Sequence, residues 1–267
     1  MQNNIKLQYQ GYAKTSLLWT NDLVEGLKQF PIHNNDSGYH GEINYKMRLG
    51  FRVERFVGSD LRNMKDVEIL EENIQVKNKK RTIGELDCLL KYKGQPIHLE
   101  IIFKLYLYDE SVGNSEIEHW IGGNRRDSLH KKLTKLKEKQ LPLLYHPSTQ
   151  PILAKHNLKA EDFEQRVHFR AQLYVPFKKE VQFYHLNENC LKGFYIRPQQ
   201  LERFHTCKFF FPYKRDWLID PQIATEWLSY LRFKIRIDEI MNHPSYPLCW
   251  IKYPNGEMEK FFVVWWD

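Results

Sequence analysis

Two acidic residues and a lysine occur in consecutive strand-like segments of the sequence. Asp87 lies in GELDCLLKYK, at 84–93, whereas Glu100 and Lys104 lie in the apolar segment IHLEIIFKLYLY, at 97–108. Alternation along the second segment places Glu100 and Lys104 on the same face of a strand. Carboxylates that a hairpin brings together can hold Mg²⁺, and a lysine beside them can assist an attacking water. The spacing therefore predicts a site for metal-dependent phosphodiester hydrolysis.

A third carboxylate is predicted on the helix that precedes these strands. Residues 46–63 carry apolar residues at three- and four-residue steps, which is typical of an amphipathic helix. At 100° per residue, Glu54 falls on the apolar face and should point towards the interior. Four arginines are expected on the opposite side of this helix: Arg48, Arg52, Arg55 and Arg62.

Each of these residues also has a purely structural interpretation. Glu54 could pair with a buried cation, because buried charges are usually paired. Asp87 could accept hydrogen bonds from backbone donors at a strand end. Glu100 and Lys104 could form an ion pair, since a carboxylate in an apolar strand carries a desolvation cost that either a metal ion or a lysine offsets.

A basic helix is predicted over 124–140, with a buried stripe formed by Leu129, Leu133 and Leu136. Its polar side suits a phosphate backbone, although most charged helix faces simply contact solvent. Five residues are candidates for nucleic-acid binding: Arg125, Arg126, Lys131, Lys132 and Lys135.

The hydrophobic pattern predicts an α/β fold in three consecutive parts that form one compact unit. Residues 1–45 are expected to be a helical segment, with a helix over 13–30 in which Leu23 is an apolar position. Residues 46–178 are expected to form the core: a helix, three strands, a helix and a strand, giving a mixed sheet flanked by helices. Residues 179–267 are expected to form an aromatic-rich α+β extension packed on that core.

The order of these elements resembles the core of the PD-(D/E)XK nuclease superfamily over roughly residues 46–175. It combines a helix with Glu, a strand with G-E-x-D, an apolar strand with Glu and Lys, and a basic helix. Five segments look like an uncharacterised bacterial family, DUF1853, that is usually placed in this superfamily: GELDCLL, LEIIFKLYLY, IGGNRRDSLHKKL, KQLPLL and KRDWLIDP. The resemblance implies a restriction-endonuclease-like core.

The resemblance also implies a role for each of the four candidate residues. Asp87 and Glu100 would match the metal ligands, Lys104 the lysine that orients or activates water, and Glu54 the helix acid that assists a metal.

The sequence departs from the superfamily pattern at the lysine. In the superfamily this residue follows the acid by two positions, but Ile102 occupies that place and Lys104 lies four residues after Glu100. Lys104 could lean back along the strand, a bulge could alter the register, or Lys132 on the following helix could supply the charge.

Bulk composition narrows the remaining expectations. The chain has 267 residues and a formal net charge of +7, which favours polyanionic partners such as DNA or RNA. Four scattered cysteines and the lack of an export signal or long apolar run favour a cytoplasmic protein. The function expected is that of a Mg²⁺- or Mn²⁺-dependent nuclease; the alternative is an inactive nucleic-acid-binding or protein-interaction module on the same scaffold.

Overall fold

A computed structural model describes residues 4–22, 24–35 and 37–266. The α-helices are α1 (Ile5–Ala13), α2 (Leu49–Asn63), α3 (Leu129–Lys135), α4 (Gln150–Ala154) and α5 (Tyr230–Met241). The strands are β1 (Val67–Asn78), β2 (Arg81–Tyr92), β3 (Gln95–Tyr108), β4 (Trp120–Ile121), β5 (Glu164–Pro176), β6 (Leu191–Ile196), β7 (Lys208–Phe210), β8 (Leu228–Ser229), β9 (Leu248–Lys252) and β10 (Met258–Val263). A π-helical turn, Leu136–Gln140, and a 3-10 helix, Leu141–Tyr145, follow α3; shorter 3-10 turns are Ala160–Asp162, Glu188–Cys190, Pro198–Phe204 and Lys214–Asp216.

The strands form one mixed sheet in the order β1-β2-β3-β5-β6-β10-β9-β7-β8, and β4 pairs with β3 at the side. The central pairs β3–β5, β5–β6 and β6–β10 are parallel, whereas the outer pairs are antiparallel. The expected α/β class with a mixed sheet is therefore confirmed. The strands from β6 onward, in the C-terminal third of the chain, belong to the same sheet as β1, β2, β3 and β5.

The faces of the sheet are covered by different helices. The apolar side of α2, which includes Val53 and Phe56, packs with Leu99 of β3 in one cluster. Leu129 and Leu133 of α3 pack with Ile102 in another, which places the Glu100 face of β3 under α3. The alternation expected along β3 is confirmed, since the two sets of side chains enter different clusters.

The helix expected over 13–30 is wrong: α1 ends at Ala13, and the described residues after it, up to 30, contain no helix. This segment instead runs beside β5, where the amide of Leu18 donates to the carbonyl of Phe169 over 2.8 Å. Its apolar residues therefore bury themselves against the sheet without helical periodicity. Leu23 lies outside the described residues.

The position expected for Arg52, on the solvent side of α2, is also wrong, because Arg52 is fully buried. Its guanidinium donates to the carbonyls of Met47, Asn44 and Tyr45 at 2.9, 3.2 and 2.7 Å. It also donates to Gln8 of α1 over 2.8 Å. Its hydrogen bonds therefore fasten the loop before α2 and join two helices.

No helix in the described ranges is long and apolar enough to cross a bilayer. The four cysteines are free and buried.

Candidate active site

The site is built around an interruption in β2 at Asp87. Pairing with β3 ends one residue away, at the Cys88–Leu99 pair, so β2 continues alone with β1 towards residue 81. Asn73 lies across from Asp87 on β1 and has a φ of 54°, a left-handed conformation that asparagine tolerates better than most residues. The pairing of β2 with β3 therefore ends beside Asp87, while the pairing of β2 with β1 continues past it.

Side chains change face at the same position. Leu86 packs in one cluster with Leu143 of the 3-10 helix Leu141–Tyr145. Cys88, two residues on, packs with the α2 cluster instead, although regular alternation would put Leu86 and Cys88 on one side. This twist turns Asp87 towards β3.

The side-chain carboxylate of Asp87 replaces a backbone carbonyl as a hydrogen-bond acceptor in the sheet. Its Oδ2 accepts a hydrogen bond from the amide of Ile101 over 2.8 Å. The N–H and C=O groups of one strand residue point to the same side, so the Ile101 carbonyl also faces this gap. Ladder pairing on this edge of β3 resumes at Leu107, with β4. Asp87 thus caps an open stretch of strand edge.

Glu100 lies next to this gap and is fully buried. Its Oε1 is 3.2 Å from His98 Nε2, and its Oε2 accepts a hydrogen bond from the side-chain amide of Gln140. The side-chain oxygen of Gln140, Oε1, accepts a hydrogen bond from Lys132 Nζ over 2.7 Å. A lysine is therefore linked to Glu100 through one glutamine.

The tautomer of His98 follows from its second partner. Gln165 Nε2 donates to the carbonyl of Leu141 over 2.6 Å and to His98 Nδ1 over 3.0 Å. His98 Nδ1 is then an acceptor, so Nε2 carries the proton and donates it to Glu100. Burial lowers the pKa of His98 to about 4, which makes it a neutral donor near pH 7.

Local helix geometry brings Lys132 and Gln140 together. Ser128 begins α3 by accepting a hydrogen bond from the amide of Lys131 over 3.1 Å. The helix then widens into the π-turn Leu136–Gln140, which adds a residue to the turn and rotates the following side chains. Lys132 and Gln140, eight residues apart, are thereby in contact.

The carboxylates lie in a surrounding that disfavours negative charge. Burial raises the pKa of Asp87 to about 7, and the charge of Glu100 adds to the effect. Burial also raises the pKa of Glu100 to about 7, although Lys132 works against it. Burial lowers the pKa of Lys132 to about 8, while Glu100 and Asp87 oppose that shift. Burial therefore disfavours the charged form of all three groups.

Glu54 approaches these groups from α2, as expected. It is half-buried, and burial raises its pKa to about 7, with further increases from Asp87 and Glu85. No ion pair of Glu54 occurs among the described residues. The structural alternative of a paired Glu54 therefore finds no support here.

Lys104 is held away from the pair of acids. Its Nζ lies 2.5 Å from Asp127 Oδ2, and both side chains are about one-third exposed. The pKa of Lys132 is lowered in part by Lys104, so the two lysines are near neighbours. Lys132 rather than Lys104 is the cation linked by hydrogen bonds to Glu100.

The basic helix is shorter than expected, since α3 begins at Leu129. Arg125 lies in the preceding loop, where it forms an ion pair with Asp109 over 2.6 Å and covers the ring of Trp266. The stripe of Leu129, Leu133 and Leu136 is buried as expected. Three candidates for phosphate contact are exposed: Arg126, Lys131 and Lys135.

A metal ion at this site would have few protein ligands. Within the three described ranges, no three His, Cys, Asp or Glu side chains are placed to hold one together. Mg²⁺, however, is commonly held by one or two carboxylates and keeps several waters. Asp87, Glu100 and the Ile101 carbonyl fit that description, and a bound cation would favour the charged form of both carboxyl groups, which burial disfavours.

Sequence reasoning missed His98, Gln140 and Gln165. His98 had a detectable signal, since it lies two residues before Glu100 on the same strand face. Gln140 had none, because a regular α-helix would not bring it to Lys132. Gln165 reaches the site through the parallel pairing of β3 with β5, where it lies across from His98.

These features define an α/β protein whose mixed sheet opens between half-buried Asp87 and fully buried Glu100. The family model of DUF1853, a domain of unknown function, matches residues 12–264, and the chain belongs to that family. A search of curated proteins found no match, and a search of solved structures found none.

Proposed function

We propose that this protein is a metal-dependent nuclease with a restriction-endonuclease-like core. The observation that carries the proposal is the meeting of Asp87 and Glu100 where β2 leaves β3, with both carboxyl pKa values raised to about 7. The order of α2, the three strands, α3 and β5 supports the assignment of the core. The divergence of β2 from β3 leaves an open edge where a substrate can approach.

Asp87, Glu100 and the Ile101 carbonyl would hold Mg²⁺ or Mn²⁺. A divalent cation supplies charge that stabilises a phosphoryl transition state and lowers the pKa of a water. Glu54 adds a third carboxylate on the α2 side, close enough to Asp87 for each to raise the other's pKa if both are charged. Its role is to accept a proton or to order water beside the pair.

Lys132 is proposed as the cation that assists the attacking water. Its link through Gln140 to Glu100 places it in the site, and its pKa of about 8 lets it exchange a proton near neutral pH. Lys104 remains the alternative for this role, and would have to leave Asp127 to perform it. His98 positions Glu100 by donating a hydrogen bond and stays neutral.

Arg126, Lys131 and Lys135 are proposed to contact the substrate backbone, since their exposed side chains lie on or beside α3. Lys132 contributes charge from a half-buried position on the same helix. Arg125 is proposed to act indirectly, because its ion pair with Asp109 fixes the loop that carries Arg126.

The second candidate function is nucleic-acid binding without cleavage. It is favoured because both carboxylate oxygens of Glu100 already have hydrogen-bond partners, one in His98 and the other in Gln140. A metal at Glu100 would have to use the oxygen lone pairs that His98 and Gln140 leave free. A protein of this kind would keep salt-sensitive binding by α3 and lack metal-dependent chemistry.

Cleavage assays distinguish the two. The wild type and Asp87→Asn would be incubated with labelled duplex DNA, single-stranded DNA and RNA, in Mg²⁺, Mn²⁺ or EDTA. Asparagine can still accept the Ile101 hydrogen bond, so the variant should fold. Cleavage that requires metal and falls at least about 100-fold in the variant supports the nuclease. Salt-sensitive binding without cleavage by either protein supports the second candidate.

A further inference from the structure

The hairpin formed by β1 and β2 continues past the candidate site as a separate arm. Before Cys88, β2 has no partner on its β3 side and pairs with β1 alone, back to the Asn78–Arg81 pair at the turn. Arg81 lies six positions before Asp87, which corresponds to about 20 Å of extended strand. We call residues 77–83 the arm tip.

The arm is supported up to its tip. Val76 and Leu86 pack in a cluster with Leu143 and Leu144 of the 3-10 helix Leu141–Tyr145. Gly84 is pressed so close to this helix that a Cβ there would meet Leu143 at 2.6 Å. The direction of the arm relative to Asp87 is therefore set by packing.

The arm tip is entirely exposed and strongly basic. It contains no acidic residue, and no ion pair within the described parts of the chain involves its cations. The two-residue turn, Lys79–Lys80, contains neither glycine nor asparagine, although Lys79 has a φ of 55°. The cations of the tip are Lys77, Lys79, Lys80 and Arg81.

We propose that the arm tip is a second phosphate-binding surface for a nucleic-acid duplex whose scissile phosphate lies at Asp87. This inference rests on the proposed function. Four unpaired cations at the end of a packed hairpin suit a partner with regularly spaced negative charges. A duplex is stiff and would present phosphates about 20 Å from the cleaved bond, which is roughly six base pairs away at 3.4 Å per pair. The arm would thus select double-stranded substrates that extend at least that far.

Binding measurements in EDTA test the arm without cleavage. The parent, Lys79→Gln/Lys80→Gln/Arg81→Gln, and a control with the same charge change, Arg232→Gln/Lys234→Gln/Arg236→Gln, would be compared by fluorescence anisotropy. The control positions are exposed on α5, beside the opposite end of the sheet. Probes are a 24-base-pair duplex, a stem-loop of six base pairs and a 24-nucleotide single strand, each at several salt concentrations.

The arm variant is expected to bind the long duplex at least tenfold more weakly than the parent. Its slope of log affinity against log salt should be smaller in magnitude by about 2 to 3, since each lost phosphate contact removes about 0.9. The stem-loop and the single strand should be affected less, and the control should match the parent.

Equal duplex affinity and equal salt slopes for parent and arm variant would overturn the inference. Unchanged binding with increased self-association would also overturn it, because the cations would then protect the exposed edge of β1. If the parent bound none of the probes at low salt, the proposed function would fail together with the arm. If the arm variant kept the duplex affinity of the parent, only the role proposed for the arm would fail, and the proposed function would stand.

Discussion

The Ile101 amide donates to Asp87 Oδ2 over 2.8 Å, where a backbone carbonyl of β2 would otherwise be expected. This bond satisfies a strand amide that the departure of β2 leaves without a partner. It also fixes a carboxylate beside Glu100 at a cost, since burial and like charge raise the pKa of Asp87 to about 7. The same residue therefore ends a ladder and creates an unneutralised charge.

The raised pKa of Asp87 predicts that Asp87→Asn is more stable to unfolding than the wild type at high pH. An unfolded aspartate titrates near 3.9, so the folded protein binds the proton more tightly, and stability is lost as pH rises from about 4 through about 7. Asp87→Asn should match the wild type most closely below about pH 4 and exceed it by at least about 1 kcal/mol at pH 8. Urea denaturation without metal measures the difference at each pH.

Asp109→Asn provides a comparison of opposite sign. Burial opposes ionisation of Asp109, but hydrogen bonds from Ser111 and Arg125 outweigh it and lower the pKa. The wild-type carboxylate should therefore stabilise the protein at pH 8 and lose that contribution in acid. If Asp87→Asn destabilised the protein at pH 8 as Asp109→Asn should, Asp87 would be a structural cap without excess charge.

The two lysines near the site should differ in their effect on cleavage. Lys132→Met removes the cation linked to Glu100 and should lower kcat at least about 100-fold. Lys104→Met removes an ion pair with Asp127 that is partly exposed, and should lower kcat by less than about threefold. Single-turnover cleavage at saturating substrate compares them. The reverse ranking would return the water-assisting role to Lys104.

His98 should influence metal binding through Glu100. His98→Ala removes a buried donor and should weaken Mn²⁺ binding by about 10- to 100-fold. His98→Gln can still donate an N–H and should recover part of the loss. Calorimetric titration gives the affinities, and circular dichroism checks folding. Equal affinities in folded His98→Ala and wild type would mean that Glu100 needs no support from His98.

Two helical glycines should respond oppositely to alanine. A Cβ at Gly11 would lie 1.9 Å from the Leu218 carbonyl oxygen, so Gly11→Ala must displace α1 and should cost about 3 kcal/mol or more. No heavy atom lies within 4 Å of a Cβ at Gly50 in α2, and Gly50→Ala should stabilise by about 0.5–1 kcal/mol. Thermal and urea unfolding measure both. A mild effect at Gly11 would contradict the close packing of α1 on the backbone at Leu218.

The sequence alone predicts the strands of the site because their signals are local. Alternation along β3 places Glu100 on one face, and the turn after Tyr92 fixes its register with β2. The observed turn is Lys93–Gly94, and Gln95 already pairs with Tyr92. Periodicity also places Glu54 on the inner side of α2, where it meets Asp87 electrostatically.

Other features depend on contacts distant in sequence. Arg52 is buried because three loop carbonyls and Gln8 accept its hydrogen bonds, and a helical wheel contains none of those partners. Residues after Ala13 satisfy their backbone on β5, more than a hundred residues away. Gln140 reaches Glu100 through a π-turn that no periodicity reveals.

Calorimetric titration of Mn²⁺ into the wild type and Asp87→Asn, with duplex DNA absent and then present, tests the metal site most directly. At pH 6.5 the carboxyl groups of Asp87 and Glu100 are partly protonated, so binding should release protons, which buffers of different ionisation enthalpy reveal. We predict that the wild type binds one Mn²⁺ with proton release and that the variant binds none. Equal binding by both proteins, or no binding by the wild type even with DNA, would contradict it.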